Sequence, residues 1–111
     1  MFQSVEVFKI IHLTKENFGT ETKEGRVIID FWAEWCGPCR MLGPVYEALS
    51  EEMKDMKFTK VNVDENDELA AKYGVRGIPT MVFLKDGKEV DRIVGALPKD
   101  ALKEKIEKIF K

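Results

Sequence analysis

Cysteine is scarce in this chain. Only Cys36 and Cys39 occur in 111 residues, so no network of disulfides can staple the fold. Histidine is scarcer still, with His12 alone. A structural zinc centre on the cysteine pair would need two further ligands, and only His12 is on offer, so no metal site is expected. Long apolar runs are missing: the longest is Met81 to Leu84, far short of the roughly 20 residues that cross a bilayer as a helix. There is no basic excess either. Twenty acids face 18 bases for a net charge of −2, which argues against a nucleic-acid partner. The start, Met1-Phe2-Gln3-Ser4-Val5-Glu6, lacks the basic residues and apolar core of a secretory signal. A cytoplasmic location is the expectation. Asn and Gln number four in all, against 13 Glu and 14 Lys. That bias is the one seen in proteins from hot environments, and it leaves a thermophilic source open.

What is present is globular. With 44% hydrophobic and 34% charged residues, a chain of this length can bury roughly two-thirds of its unfolded surface. Residues 1–111 are expected to form one domain. No repeat, linker or low-complexity segment divides them.

The two cysteines sit in Trp35-Cys36-Gly37-Pro38-Cys39. The residues before them, Val27 to Trp32, read as a strand, and those after, Arg40 to Met53, as a helix with apolar positions close to a 3.6 period. The first cysteine therefore falls where a strand ends and a helix begins. Unpaired N–H groups and the helix dipole favour negative charge there, and a thiolate is the form that attacks disulfides. Pro44 interrupts the helix pattern and is expected to kink it. Asp30 spoils an otherwise continuous apolar strand. A carboxylate in that place is costly without a role or a partner.

The rest of the chain alternates. Val5 to Leu13 reads as a first strand. Thr14 is suited to cap a short helix from Lys15 to about Thr22, with Leu13 and Phe18 placed as a hydrophobic staple. Lys57 to Val63 reads as a third strand and Asp64 to Tyr73 as a helix closed by Gly74. Met81 to Leu84 and Val90 to Val94 flank Asp86-Gly87, a type I′ hairpin signal. Pro98 opens a last helix with Leu102, Ile106, Ile109 and Phe110 on its apolar face. The order predicts an α/β fold, a mixed five-stranded sheet with about four helices on both faces.

With these motifs the chain resembles the thioredoxin family. The resemblance is carried by Asp30-Phe31-Trp32-Ala33-Glu34-Trp35-Cys36-Gly37-Pro38-Cys39, by Pro44, by Lys60-Val61-Asn62-Val63-Asp64, by Gly74-Val75-Arg76-Gly77-Ile78-Pro79-Thr80 and by Val94-Gly95-Ala96. It implies a thioredoxin fold and a cytoplasmic dithiol reductase with no bound cofactor beyond its own Cys36–Cys39 disulfide. It implies disulfide-bonded protein substrates and recharging by an NADPH-dependent flavoprotein, thioredoxin reductase. It implies a monomer, a cis Pro79 facing the disulfide, and an apolar docking surface of Trp35, Gly37, Pro38, Ile78, Pro79, Gly95 and Ala96. Cys36 is expected to be the exposed nucleophile and Cys39 the shielded thiol that resolves the mixed disulfide. Asp30 is the candidate proton acceptor for Cys39, with a pKa raised by desolvation and limited by pairing with Lys60. Two alternatives stand beside this reading. An oxidase or isomerase on the same scaffold would usually carry a histidine between the cysteines, where this chain has Gly37-Pro38. A binding module without redox chemistry would keep its activity in a Cys36→Ser variant.

Overall fold

The computed structural model describes residues 10–111. The elements run β1 (Ile10–His12), α1 (Phe18–Thr22), β2 (Arg26–Trp32), α2 (Gly37–Glu52), β3 (Lys57–Asn62), α3 (Asp67–Lys72), β4 (Thr80–Lys85), β5 (Lys88–Val94) and α4 (Lys99–Ile109). The five strands form one sheet in the order β1-β3-β2-β4-β5. β1, β3 and β2 are parallel, and β4 and β5 are antiparallel to their neighbours. The expected mixed α/β architecture is therefore the observed one. No described helix is long and apolar enough to cross a membrane.

β2 is the central strand, and its side chains alternate between two cores. Ile28 joins Leu42, Tyr46, Leu49 and Met53 of α2 and Leu102 and Ile106 of α4 on one face. Val27, Ile29 and Phe31 join Leu69 of α3 on the other, with Phe18 and Tyr73 packed against them. Asp30 shares the parity of Ile28 and so lies on the face that α2 covers. Glu52 near the end of α2 pairs with Lys99 and Lys103, which fastens α4 to the same face.

Several boundaries move from their sequence positions. The stretch from Val5 to Lys9 lies outside the described residues. Thr14 does not cap the first helix. Its N–H donates to Asn17 Oδ1 at 2.7 Å while Asn17 Nδ2 donates to the His12 carbonyl, so a turn over residues 15–17 replaces the first helical turn. Leu13 and Phe18 still pack in one cluster. α2 starts at Gly37 rather than Arg40, because Cys36 itself is the cap, and Pro44 lies inside it. α3 starts at Asp67 because residues 63–65 form a turn on the Asn62 carbonyl. The hairpin turn has φ of 51° at Asp86 and 84° at Gly87, both positive as type I′ requires. Its tip is tied to the chain before β2 by Gly25 N–H to Asp86 Oδ1 and by Asp86 N–H to the Gly25 carbonyl.

Gly43 sits inside α2 with a negative φ, and a Cβ built there meets nothing within 4 Å. Gly43→Ala is expected to stabilise the protein by about 0.5–1 kcal/mol through helix propensity. A raised urea midpoint at constant m value would show it. A lowered midpoint would mean that α2 needs a glycine beside Pro44.

Candidate functional site

Cys36 and Cys39 form a disulfide with their Cα atoms 5.2 Å apart. β2 ends at Trp32, four residues ahead of Cys36, and α2 starts at the next residue, Gly37. Cys36 has extended backbone angles and is the N-cap of α2, and Pro38 fits the first turn because it has no N–H to satisfy. The cap acceptor is the Cys36 sulfur: the Cys39 N–H donates to Cys36 Sγ at 3.2 Å. The two sulfurs are thus unequal. One receives an N–H at a helix N-terminus, and the other sits inside the first turn.

Exposure does not separate them. Cys36 is 4% exposed and Cys39 3%, so the expectation of an open Cys36 is corrected in this oxidised form. The cause is the Ile78–Pro79 segment, whose Ile78 carbonyl oxygen stands 3.8 Å from Cys36 Sγ. Ala33 and both cysteines form a small buried cluster, with Trp32, Val63 and Ile78 against it. The Ile78–Pro79 bond is cis. The Gly95 N–H donates to the Pro79 carbonyl at 2.8 Å and ties the start of β4 to the end of β5.

Asp30 is fully buried, and neither carboxylate oxygen has a hydrogen-bond partner among the described residues. Burial raises its pKa to about 7, and the positive charge of Lys60 keeps it from rising further. The expected pairing with Lys60 is corrected in form. Lys60 is the register partner of Asp30 on β3, but its ammonium stands 4.5 Å from the centroid of the Trp32 ring. It acts on Asp30 across space, not through a hydrogen bond.

The residues named for docking lie at the same end of the sheet with unequal exposure. Trp35 is 68% exposed. Gly37, Pro38 and Ala96 are also exposed, Ile78 and Gly95 are half-buried, and Pro79 is buried. Three features were not read from sequence. The Trp35 indole N–H donates to Asp64 Oδ2 at 2.9 Å and sets the angle of the ring. Met41 is exposed on α2, three residues past Pro38 and so on its side of the helix. Val94 is exposed opposite Thr80. Asp64 stood in a motif already noted, but nothing in a sequence says which indole a carboxylate will meet. Among the described residues no cluster of His, Cys, Asp and Glu could hold a metal ion.

A pair of cysteines at a helix N-cap, a buried carboxyl near neutral pKa and an apolar rim suit thiol–disulfide exchange. Comparison with known proteins agrees. Residues 9–108 match the family model described as Thioredoxin. The thioredoxin of Bacillus subtilis (strain 168) is 53% identical over 100 residues, which span 89% of this chain and 96% of that protein. The thioredoxin of Chlorobaculum thiosulfatiphilum is 49% identical over 102 residues, spanning 89% and 94%.

Proposed function

This chain belongs to the thioredoxin family and is a thiol–disulfide oxidoreductase, and on that premise we propose how its residues divide the work. The Cys36 thiolate attacks one sulfur of a substrate disulfide, and the other substrate sulfur leaves as thiolate. A mixed disulfide results. Cys39 then gives up its proton, taken by the Asp30 carboxylate directly or through a water. The Cys39 thiolate attacks the Cys36 sulfur and releases the second substrate sulfur. The substrate gains two electrons and the protein ends with its Cys36–Cys39 disulfide. The second step is intramolecular, so effective concentration favours it.

The observation that supports this order is the hydrogen bond from the Cys39 N–H to Cys36 Sγ. An N–H donor and the N-terminus of a helix stabilise a thiolate at Cys36 and offer nothing comparable to Cys39. Trp35, Gly37, Pro38, Ile78, Pro79, Gly95 and Ala96 form the surface that receives the substrate. Pro44 shapes α2 behind the pair. The substrates are disulfide-bonded proteins, and the partner that returns electrons is a thioredoxin reductase drawing on NADPH. We also propose that residues 1–111 act as one domain and a monomer, in the cytoplasm, where such a reductant is kept reduced.

Thioredoxins have an attacking thiol with a pKa of about 7 and a pair potential of about −270 mV. These are the family's values and not consequences of the geometry above. Equilibration of the Cys36–Cys39 pair with glutathione is expected to give a potential in that region. A potential near the roughly −180 mV of a disulfide isomerase, or higher, would turn the reading from reductase to isomerase or oxidase.

A further inference from the structure

β5 is not a regular strand. Leu84 pairs with Glu89 and Phe83 with Asp91, so Val90 is the extra residue of a β-bulge. In a regular strand, residues three apart point to opposite faces. The bulge cancels one step. Glu89 and Arg92 then emerge on one face, that of their partners Leu84 and Val82. Those two belong to the core that α3 covers.

There the Arg92 guanidinium closes a fork on Glu89, Nε to Oε2 at 2.6 Å and Nη2 to Oε1 at 2.9 Å. Nη2 also donates to the Tyr73 carbonyl at 2.8 Å. Tyr73 is the C-cap of α3, a helix of only six residues. So short a helix has little stability of its own and relies on tertiary anchors. A cation at its C-terminus satisfies a free carbonyl and opposes the helix dipole. The Tyr73 ring is held as well, 6.0 Å from the Phe18 ring and 5.9 Å from the Phe31 ring.

Tyr73 also leads into residues 74–79, the loop that carries Ile78 and Pro79. The far end of that loop is fixed by Gly95 N–H to the Pro79 carbonyl and by Thr80 Oγ1 to the Gly77 carbonyl. Between the two ends lie Gly74 and Gly77, two residues with wide backbone freedom. Such a loop keeps one shape only if both of its ends are held.

We propose that Arg92, aimed by Glu89 and by the bulge at Val90, is a positioning residue that clamps the start of the 74–79 loop and so sets the affinity for protein disulfides. This rests on the reading that Ile78 and Pro79 receive substrate. Arg92 works from the α3 face of the sheet, whereas the disulfide sits at the N-terminus of α2. Its effect therefore falls on binding of a substrate large enough to lie along the loop. Lysine is a partial substitute only, since an ammonium lacks the planar fork that holds Glu89 and the Tyr73 carbonyl together.

The test uses the prereduced full chain in single-turnover reactions over a range of insulin concentrations, with a small aromatic disulfide as reference. A hydrogen bond from a charged group is worth a factor of roughly ten to a hundred and fifty, and only part of a loss at the start of the loop reaches the face that meets substrate. Arg92→Met is expected to raise the half-saturating insulin concentration about fivefold while the limiting rate changes less than twofold. The ratio of insulin to small-disulfide rate constants falls accordingly, and Arg92→Lys lies between. An unchanged half-saturation in Arg92→Met, or an equal loss toward both substrates, overturns the clamp. Should the methionine variant not fold, Arg92→Lys is read by the same two criteria. Ala96→Glu separates this from the docking reading. If it weakens insulin binding and Arg92→Met does not, the clamp alone is wrong. If neither does, the docking surface is wrong.

Discussion

Between pH 3 and pH 8 the Asp30→Ala variant of the oxidised protein is expected to gain about 4 kcal/mol on the unmodified protein. The sign follows from the buried carboxyl. In the unfolded chain Asp30 ionises at its ordinary 3.8, and in the fold only at about 7. Below the lower value both states hold the proton, and the group contributes no pH dependence. As pH rises between the two, the unfolded chain loses its proton first, and the folded state loses about 1.4 kcal/mol per pH unit. Above the folded value the loss is complete and constant. Alanine cannot ionise, so the variant escapes this loss but keeps a small cavity, which costs it a fixed amount at every pH. Urea unfolding of both proteins at several pH values reads the difference, and groups common to both cancel. The same variant is expected to reduce insulin at least roughly tenfold more slowly at pH 7, since general base catalysis contributes on that order or more. A flat stability difference with unchanged turnover would make Asp30 an ordinary structural residue and place the base for Cys39 elsewhere.

Cys39→Ser is expected to perform half a reaction. Cys36 still attacks, but nothing resolves the mixed disulfide, so the variant accumulates as a covalent adduct with its substrate and turnover stops. Mass spectrometry without reductant would find the adduct in Cys39→Ser and not in Cys36→Ser. Alkylation of the reduced protein provides a second readout. A thiol with the family's pKa of about 7 is roughly half thiolate at pH 7, and an ordinary thiol with a pKa of about 8.5 only about 3%. Lower basicity also lowers nucleophilicity, which trims the advantage to roughly three- to fourfold. A limiting alkylating agent therefore labels Cys36 first. Labelling of Cys39 first, or an adduct on Cys36→Ser, would exchange the two roles.

Elements with a strong local signal were legible in the sequence. The continuous apolar run of β2, the 3.6-residue period of α2 and the Asp86-Gly87 turn each carry their structure in neighbouring residues, and each was placed within a few positions. α1 and α3 began later than read, because Thr14 N–H turns to the Asn17 side chain, and the N–H groups of Glu65 and Asn66 to the Asn62 carbonyl, closing turns where a first helical turn was expected. The site divides in the same way. Cys36 and Cys39 lie in one short motif, and Asp30 betrayed itself as the wrong residue type for its strand. Lys60 was harder. Its register opposite Asp30 was legible as a pairing, but the Trp32 ring that draws its ammonium aside is a contact made in space. Arg92 was invisible for a stronger reason. On a strand it should face away from Glu89, and only the bulge reverses that.

The strand order has a consequence for the time at which the site exists. The sulfur of Cys36 is covered by Ile78, more than forty residues later in the chain, and β2 is completed on one side only when β4 arrives. Closing a loop of that length must precede any contact that rewards it. A nascent chain leaving the ribosome thus carries both thiols and Asp30 well before it carries Pro79. During that interval it holds a dithiol without the surface proposed above to choose what the dithiol meets. On that reading, selectivity comes later than the reactive groups as this protein is made.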